Sequence, residues 1–212
     1  MNYFFTADLH LGHANIMKYC GRTIFMTNKD LAIYNKVKDL SREEQKKFRI
    51  SNESLDNMNK GIIYRWNERV KVDDIVFVIG DFCFKNSSGN RGEGIKTKAI
   101  EWEQQLNGKI IHIKGNHDKN NSTKTIIERL VIGYCNKRIN LVHDPEKVDL
   151  TYKINFTGHI HNNWEIKRIS QEWKGFTDCI NVGVDVWNFY PVKFEELMKR
   201  YNQWLRKEYH ND

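Results

Sequence analysis

Short apolar runs that end in glycine and polar residues are the most regular feature of this chain. Residues 75–79 are continuously apolar and residues 110–113 nearly so, which predicts two buried β-strands. The polar residues that follow these runs are Asp81, Asn116, His117 and Asp118. Ligands of open α/β sheets lie outside the carboxyl ends of the strands, so we expect chemistry at both positions.

Three further runs with strand character end in the same way. The residues that follow runs 3–7, 139–142 and 152–157 are, in that order, Asp8 and His10, then His143, then His159 and His161. Two side chains separated by one residue face the same side of an extended backbone, so each pair can reach one cation. Taken singly, each motif could also be an ordinary polar turn or a surface histidine.

Between these runs the apolar spacing becomes that of helices. Apolar residues between 55 and 70 mark the buried face of a long helix, and Ser41 with Glu44 has the form of a capping box. Further helices are expected over 95–106, over 123–132 and after Pro191, with a late strand over 179–186. Strands that alternate with helices predict an α/β protein built around a parallel sheet.

Length and composition favour an ordinary intracellular protein. With 212 residues, of which 40% are hydrophobic, the chain fits one domain with a substantial core. No run reaches the ~20 apolar residues of a membrane span, and no leader pattern precedes the first strand, so we expect a cytoplasmic protein with no membrane partner. The 4 cysteines are widely spaced, which indicates neither a disulfide framework nor a zinc knuckle.

The excess of positive charge suits a phosphate-containing partner. The chain has 34 basic and 27 acidic residues, a formal net charge of +7. Arg42, Lys46, Lys47 and Arg49 form a basic run that could contact a nucleic-acid backbone. A solvated helix face is the commoner explanation of such a run, and both interpretations stay open.

Taken together, the motifs resemble the five-part signature of the calcineurin-like metallophosphoesterase superfamily. The matching residues are Asp8 and His10, Gly80 and Asp81, the stretch 115–118, His143, and Gly158 with His159 and His161. Residues 6–16 and 181–187 are similar, more narrowly, to a small prokaryotic and phage subgroup of predicted phosphoesterases. The resemblance implies a layered α/β sandwich, with two central mixed β-sheets flanked by helices. The chain length predicts one domain over 1–212. The stretch at about 28–54 is longer than expected for the narrower subgroup, so we interpret it as a charged helical insertion, either a lid or a partner-binding segment.

The resemblance further implies a site for two divalent metal ions. Asp8, His10 and His161 would hold one ion, Asn116, His143 and His159 the other, and Asp81 would bridge both. Carboxylate, amide and imidazole ligands suit transition metals of intermediate softness, so Mn²⁺ is the expected ion, with Fe, Zn or Ni as alternatives.

The reaction implied is hydrolysis of a phosphodiester or phosphomonoester. A hydroxide bridging the metals would attack phosphorus in line. His117 would protonate the leaving oxygen, with Asp118 orienting its ring. His13 and Arg22 are candidate substrate contacts. His13 follows the first motif closely enough to face the same cleft, and an arginine such as Arg22 can hold a phosphate through two hydrogen bonds.

The substrate class is narrowed by a departure from the family pattern. Residues 82–84 read Phe-Cys-Phe where the protein serine/threonine phosphatases of the superfamily carry an acidic residue and an arginine, which argues against a phosphoprotein. A nucleotide or a nucleic-acid end is the expected substrate. The alternative is a non-catalytic scaffold of the same fold that binds protein or nucleic acid. Such scaffolds tend to lose ligands or the leaving-group histidine, whereas His117 is present.

Overall fold

The computed structural model describes residues 1–84, 97–120, 125–173 and 175–209. These residues form nine strands and six α-helices. In chain order they are β1 (Tyr3–Thr6), α1 (Ile16–Tyr19), α2 (Asn28–Val37), α3 (Arg42–Lys47), α4 (Asn52–Arg69), β2 (Ile75–Ile79), α5 (Ala99–Glu103), β3 (Lys109–Ile113), β4 (Leu130–Tyr134), β5 (Lys137–Leu141), β6 (Ile154–Thr157), β7 (Ile166–Gln171), β8 (Gly175–Asn181), β9 (Val192–Lys193) and α6 (Phe194–Tyr209).

The strands form two mixed sheets. The first has the order β3-β2-β1-β9, in which β1, β2 and β3 are parallel and β9 is antiparallel to β1. The second has the order β4-β5-β6-β8-β7, in which β5, β6 and β8 are parallel and the outer strands are antiparallel to their neighbours. The predicted fold class, two mixed sheets flanked by helices, is therefore confirmed.

The two faces of the first sheet belong to different cores, which explains why its strands are continuously apolar. Phe4 and Val76 pack with the buried face of α4, including Trp66. Phe5 points the other way and packs against Phe156 of the second sheet, with ring centroids 4.9 Å apart. A strand covered on both faces needs apolar side chains at every position.

The helices of the charged segment are fixed by side-chain caps. Ser41 and Glu44 form the expected capping box at the start of α3, and Ser51 caps α4 by accepting the N–H of Ser54. Asp30 in α2 accepts hydrogen bonds from both Ser51 and Ser54, so α2 and the start of α4 are tied together. Whether 28–54 is an insertion into a single domain stays a prediction. Among the described residues, no helix has the length and apolar character needed to cross a bilayer.

Three predicted elements were wrong in type or extent. The helix expected over 123–132 is replaced from Leu130 by β4, which pairs with β5 across a turn at Cys135 and Asn136, and residues 123 and 124 lie outside the described residues. Both turn residues have positive φ (48° and 59°), the backbone of a tight two-residue hairpin. The late strand stops at Asn181, whose side chain accepts the N–H of Gly183 and turns the chain. The helix expected over 95–106 is limited to α5, and residues 95 and 96 lie outside the described residues.

The carboxyl ends of the parallel strands meet at one edge of the molecule. Ala7, directly after β1, forms a bridge with Gly183, shortly after β8, and so connects the two sheets at this edge. The N–H of Asp8 also donates to Gly80 O at 3.1 Å. The loops that carry the predicted ligands are therefore neighbours in space.

Candidate metal centre

Asp81 lies at the middle of the predicted ligands. Its Oδ2 atom is 3.5 Å from His10 Nε2 and 3.4 Å from His143 Nε2. All three side chains are buried, at 3% exposure or less. A carboxylate held between two imidazoles of different segments is in the position expected of a bridging ligand.

The other predicted ligands gather on either side of Asp81. Ligand atoms of Asp8, His10 and His161 lie within 4.8 Å of one another, as do those of Asp8, Asp81 and His143. Asp8 thus belongs to both groups, although the family pattern assigned it to one ion only.

A second focus forms around the side-chain oxygen of Asn116. Asn116 Oδ1 is 3.0 Å from His143 Nε2 and 2.9 Å from His159 Nδ1. Asn116 and His159 are exposed while His143 is buried, so this side of the centre opens to solvent. The three residues predicted to hold the second ion are therefore in mutual contact.

Two histidines present nitrogen atoms in the way that a metal requires. His10 Nε2 is buried and has no hydrogen-bond partner, which is costly unless another ligand occupies it. His143 Nδ1 is 2.8 Å from the carbonyl oxygen of Ile79, so Nδ1 carries a proton and donates it there. Nε2 faces Asp81 and Asn116 and is the nitrogen that can bind a metal once its own proton is displaced. The residues present therefore fit a divalent transition-metal ion.

Backbone strain is concentrated at this centre. Five predicted ligands have φ between 50° and 73°, in the left-handed region that non-glycine residues rarely adopt. They are Asp8, His10, Asp81, His159 and His161. Each such residue costs about 1–3 kcal/mol and persists only where surrounding contacts enforce it. Strain of this kind gathers at functional sites.

Glycines make room for the buried carboxylates. A Cβ atom on Gly115 would lie 2.2 Å from Asp81 Oδ1, and one on Gly158 would lie 2.7 Å from Asp8 Oδ2. Any larger residue at either position would push the carboxylate away. The glycines of the sequence motifs are thus required by packing around the ligands.

The charges of the ligands are strongly coupled. Burial is the largest single effect on His143 and acts to lower its pKa, but Asp81, Asp8 and the carbonyl of Ile79 together outweigh it and raise the pKa to about 9. Burial also acts to lower the pKa of His161, but Asp185, Cys20 and Asp8 together raise it to about 10. For Asp81, burial acts to raise the pKa, but His143 and the His117 N–H lower it overall. Without metal, both histidines hold a proton at neutral pH, which a metal ion must displace.

His13 is not placed as the expected substrate contact. Burial is the main cause that lowers its pKa to about 3, so the ring is neutral at physiological pH. The ring stacks on Phe84 with centroids 4.1 Å apart, and its Nδ1 lies 3.3 Å from His10 Nδ1. His13 therefore packs against the predicted ligand His10 and offers no charge to a phosphate.

Arg22 also differs from its expected role. The side chain is buried at 1% exposure, and its guanidinium donates to Asp185, to Asp8 O and to Leu9 O. A guanidinium engaged in this way is not available to a substrate phosphate. The burial of Arg22 makes its guanidinium inaccessible to substrate, and the spacing of residues in the sequence does not reveal that burial.

His117 lies at the open edge of the centre, and Asp118 lies beneath it. The His117 ring is partly exposed, and its centroid is 5.3 Å from that of His10. Asp118 accepts the backbone N–H groups of Gly115 at 2.7 Å and Asp81 at 3.0 Å. These bonds orient the two ligand loops, whereas the expected role of Asp118 was to orient the His117 ring.

Asp185 was not among the predicted site residues. Its Oδ2 atom is 2.9 Å from His161 Nδ1, and its side chain is 2% exposed. It lies in a short 3₁₀ helix, Val184–Val186, within the stretch expected to be a strand. The available signal was the resemblance of residues 181–187 to the narrower subgroup, which assigned no role to this carboxylate.

A cleft adjoins the solvent-open side of the centre. It has a volume of about 290 Å³, and both Asn116 and His143 line it. Lys114 and Lys147 lie in the same cleft, each paired with a carboxylate of its rim. The cleft therefore contains two predicted metal ligands and two lysines whose ion-pair partners lie at its rim.

Sequence comparison identifies one informative relative. No protein-family model matches the chain. The uncharacterized protein MJ1445 of Methanocaldococcus jannaschii is 30% identical over 203 residues, which cover 92% of this chain and 89% of the relative.

Structure comparison supports the fold. A protein of unknown function from Aquifex aeolicus, AQ665, superposes with a TM-score of 0.56 and 18% identity, covering 93% of this chain and 98% of AQ665. The Escherichia coli phosphoesterase Yfce is 13% identical and covers 85% and 78% of the two chains, but its TM-score of 0.36 is too low to define a shared fold.

Proposed function

We propose that this chain, which belongs to the family of the uncharacterized protein MJ1445, is a metal-dependent phosphoesterase of the calcineurin-like type. The observation that carries the proposal is the position of Asp81 between His10 and His143, with the buried His10 Nε2 left without a hydrogen bond. A buried nitrogen without a partner beside a carboxylate is stabilised when both bind the same cation.

The proposed ligands form two groups that share Asp81. Asp8, His10 and His161 would hold one ion, while the second group is Asn116, His143 and His159. Bound divalent ions would supply Lewis-acid polarisation of the phosphate and activation of the attacking water. Mn²⁺ is the ion we propose to test first, since the mixed ligand set suits it.

One residue outside the ligand set would act on the substrate, and a second would hold it in place. His117 lies at the open edge of the centre, within reach of an oxygen that leaves on that side, and can donate a proton to it. Asp118 holds the backbone of Gly115 and Asp81, which fixes the loop that carries His117. The proton donor is thus held in place by the loop that also positions the ligands.

We propose a nucleotide or a nucleic-acid end as the substrate class. The cleft beside Asn116 contains Lys114 and Lys147, whose carboxylate partners can be exchanged for phosphate oxygens at little cost. The ring of Phe84, whose centroid is 6.0 Å from that of His117, belongs to the stretch where the protein phosphatases of the superfamily that the chain resembles carry an acidic residue and an arginine. A phosphate ester with a planar or apolar leaving group fits this arrangement.

The test is hydrolysis of bis-p-nitrophenyl phosphate and p-nitrophenyl phosphate by metal-stripped protein to which Mn²⁺ is restored. We expect activity in the wild type and its loss in Asp81→Asn. Asp178→Asn is the control, because Asp178 is also buried and ion-paired but lies in the second sheet, remote from the predicted ligands. If the wild type binds Mn²⁺, Ni²⁺, Zn²⁺ or Fe²⁺ but cleaves neither ester, the proposal is wrong as stated and a binding role replaces it.

A further inference from the structure

A buried ion pair, Arg22 with Asp185, lies directly behind the first group of proposed ligands. We propose that these two residues are positioning residues that set the geometry of Asp8, His10 and His161 for one of the two metal ions. The inference rests on the proposed metal centre and assigns a role to residues outside its ligand set.

The first step is the contact between Asp185 and His161. Asp185 Oδ2 lies 2.9 Å from His161 Nδ1, and the carboxylate is 2% exposed. A carboxylate cannot donate, so Nδ1 must carry the proton and donate it to Asp185. The remaining nitrogen, Nε2, is then the one that can bind a metal, as in the carboxylate–histidine–metal arrangements of known metalloproteins.

The second step is the attachment of Arg22 to Asp185. Arg22 Nε donates to Asp185 Oδ1 at 2.8 Å and Nη2 donates to Oδ2 at 3.0 Å. Two parallel hydrogen bonds fix the orientation of the carboxylate as well as its position. The pair joins segments 163 residues apart in the chain, so it can hold His161 in register with the first loop.

The third step is the set of hydrogen bonds from Arg22 to the backbone of the loop after β1. Nη2 also donates to Asp8 O at 2.7 Å, and Nη1 donates to Leu9 O at 2.9 Å. Asp8 and His10 have φ of 57° and 51°, so this loop needs external contacts to keep its conformation. One guanidinium therefore supports the strained backbone that presents two ligands and the carboxylate that orients a third.

A purely structural role would give the pair no special relation to metal binding. The chain offers a comparison, because Arg168 and Asp178 form a pair with the same two hydrogen bonds in the second sheet, with Asp178 buried and Arg168 30% exposed. Arg168 Nε lies 2.7 Å from Asp178 Oδ1 and Nη2 lies 2.9 Å from Oδ2, and Asp178 is 2% exposed. Asp178→Asn should lower stability without changing metal affinity.

The experiment compares Asp185→Asn, Arg22→Lys and Asp178→Asn with the wild type. Mn²⁺ binding is titrated calorimetrically in metal-stripped protein, and folding is checked by circular dichroism. We expect Asp185→Asn and Arg22→Lys to weaken one of two sites by about 10–100-fold, the usual effect of removing a partner of a metal-bound histidine. The other site, and both sites in Asp178→Asn, should keep wild-type affinity.

A second measurement does not depend on metal or on activity. Nitrogen-15 NMR of the histidine rings in metal-free protein reports, for each ring nitrogen, whether it is protonated and hydrogen-bonded. We expect the Nδ1–H signal of His161 in the wild type and in Asp178→Asn, and its loss or exchange broadening in Asp185→Asn. This readout also applies if a variant binds metal too weakly for calorimetry.

The outcomes separate this inference from the proposed function. Wild-type protein that binds two ions but hydrolyses no ester contradicts the function and leaves the positioning role testable. Wild-type affinity at both sites in folded Asp185→Asn overturns the positioning role and leaves the function intact. Equal weakening in Asp178→Asn overturns it as well, since the effect would then follow from any buried pair.

Discussion

Asp118 and Asp81 hold each other's loops at the carboxyl ends of neighbouring strands. Asp118 Oδ2 accepts the backbone N–H of Asp81 at 3.0 Å, and Asp81 Oδ1 accepts the backbone N–H of His117 at 2.9 Å. The loop after β2 and the loop after β3 are thus joined in both directions. The residue proposed to bridge two ions and the residue proposed to protonate the leaving group move as one unit.

Asp118→Asn should therefore uncouple the two loops. The substitution turns an ionised acceptor of N–H groups into an amide with one acceptor, so we expect the free energy of unfolding to fall by about 1.5–3 kcal/mol. We also expect weaker Mn²⁺ binding. Asp74→Asn is the matched control, because Asp74 also accepts backbone N–H groups, from Asn2 and Lys71, away from the metal centre. Urea unfolding and calorimetric titration should show stability loss in both variants but weaker binding only in Asp118→Asn.

Gly115→Ala should damage the centre by steric displacement. The added Cβ would lie 2.2 Å from Asp81 Oδ1 and 2.5 Å from Asp81 N, so Asp81 must shift. A displacement of about 1 Å at a catalytic centre costs on the order of 100-fold in rate, and we expect a loss of at least that size in ester hydrolysis. Gly133→Ala is the control, since a Cβ there meets no atom within 4 Å. Full activity in Gly115→Ala would contradict the bridging role of Asp81.

The sequence was most informative where strand ends carry the ligands. Residues 75–79 formed β2 as expected, because a run of apolar side chains buried on both faces followed by glycine leaves few alternatives. The predicted ligands at the separate strand ends are neighbours in space because the carboxyl ends of parallel strands lie at one edge of each sheet. The residues predicted as metal ligands are therefore in contact.

The errors arose where tertiary contacts decide the outcome. Arg22 was expected to contact the substrate, because a guanidinium can hold a phosphate, yet Asp185, far along the chain, binds it in the interior. Asp185 itself was overlooked because its partners His161 and Arg22 lie 24 and 163 residues away. The spacing of apolar residues within a segment cannot reveal such pairs, since neither partner alters that spacing in its own segment.

Metal binding should release protons and strengthen as the pH rises. His143 and His161 have pKa values raised to about 9 and about 10 by neighbours that outweigh burial, chiefly Asp81 for His143 and Asp185 for His161, so both rings are protonated in metal-free protein at neutral pH. His10 has a pKa lowered mainly by burial, so its ring is already neutral. Because a metal binds only the neutral ring, loading both sites should release about two protons between pH 6 and 8.

Calorimetry in buffers with different ionisation enthalpies measures that proton release directly. The observed binding heat should change with the buffer at pH 7, and the apparent Mn²⁺ affinity should be higher at pH 8 than at pH 6. A binding heat that is independent of the buffer would show that neither histidine is protonated before the metal binds. In that case the charge coupling to Asp81 and Asp185 does not operate as described.

His117 should matter most for esters whose leaving group needs a proton. Its ring lies at the open edge of the centre beside His10 and Phe84, where a departing oxygen can be protonated. General acid catalysis typically contributes about 10²–10⁴-fold to the rate. We therefore expect His117→Ala to lower kcat by this factor for a dinucleotide, whose leaving alkoxide is strongly basic. p-Nitrophenolate departs without help, so bis-p-nitrophenyl phosphate should show a much smaller loss. An equal loss for both substrates, with Mn²⁺ affinity unchanged, would mean that His117 orients the phosphate and does not protonate the leaving group.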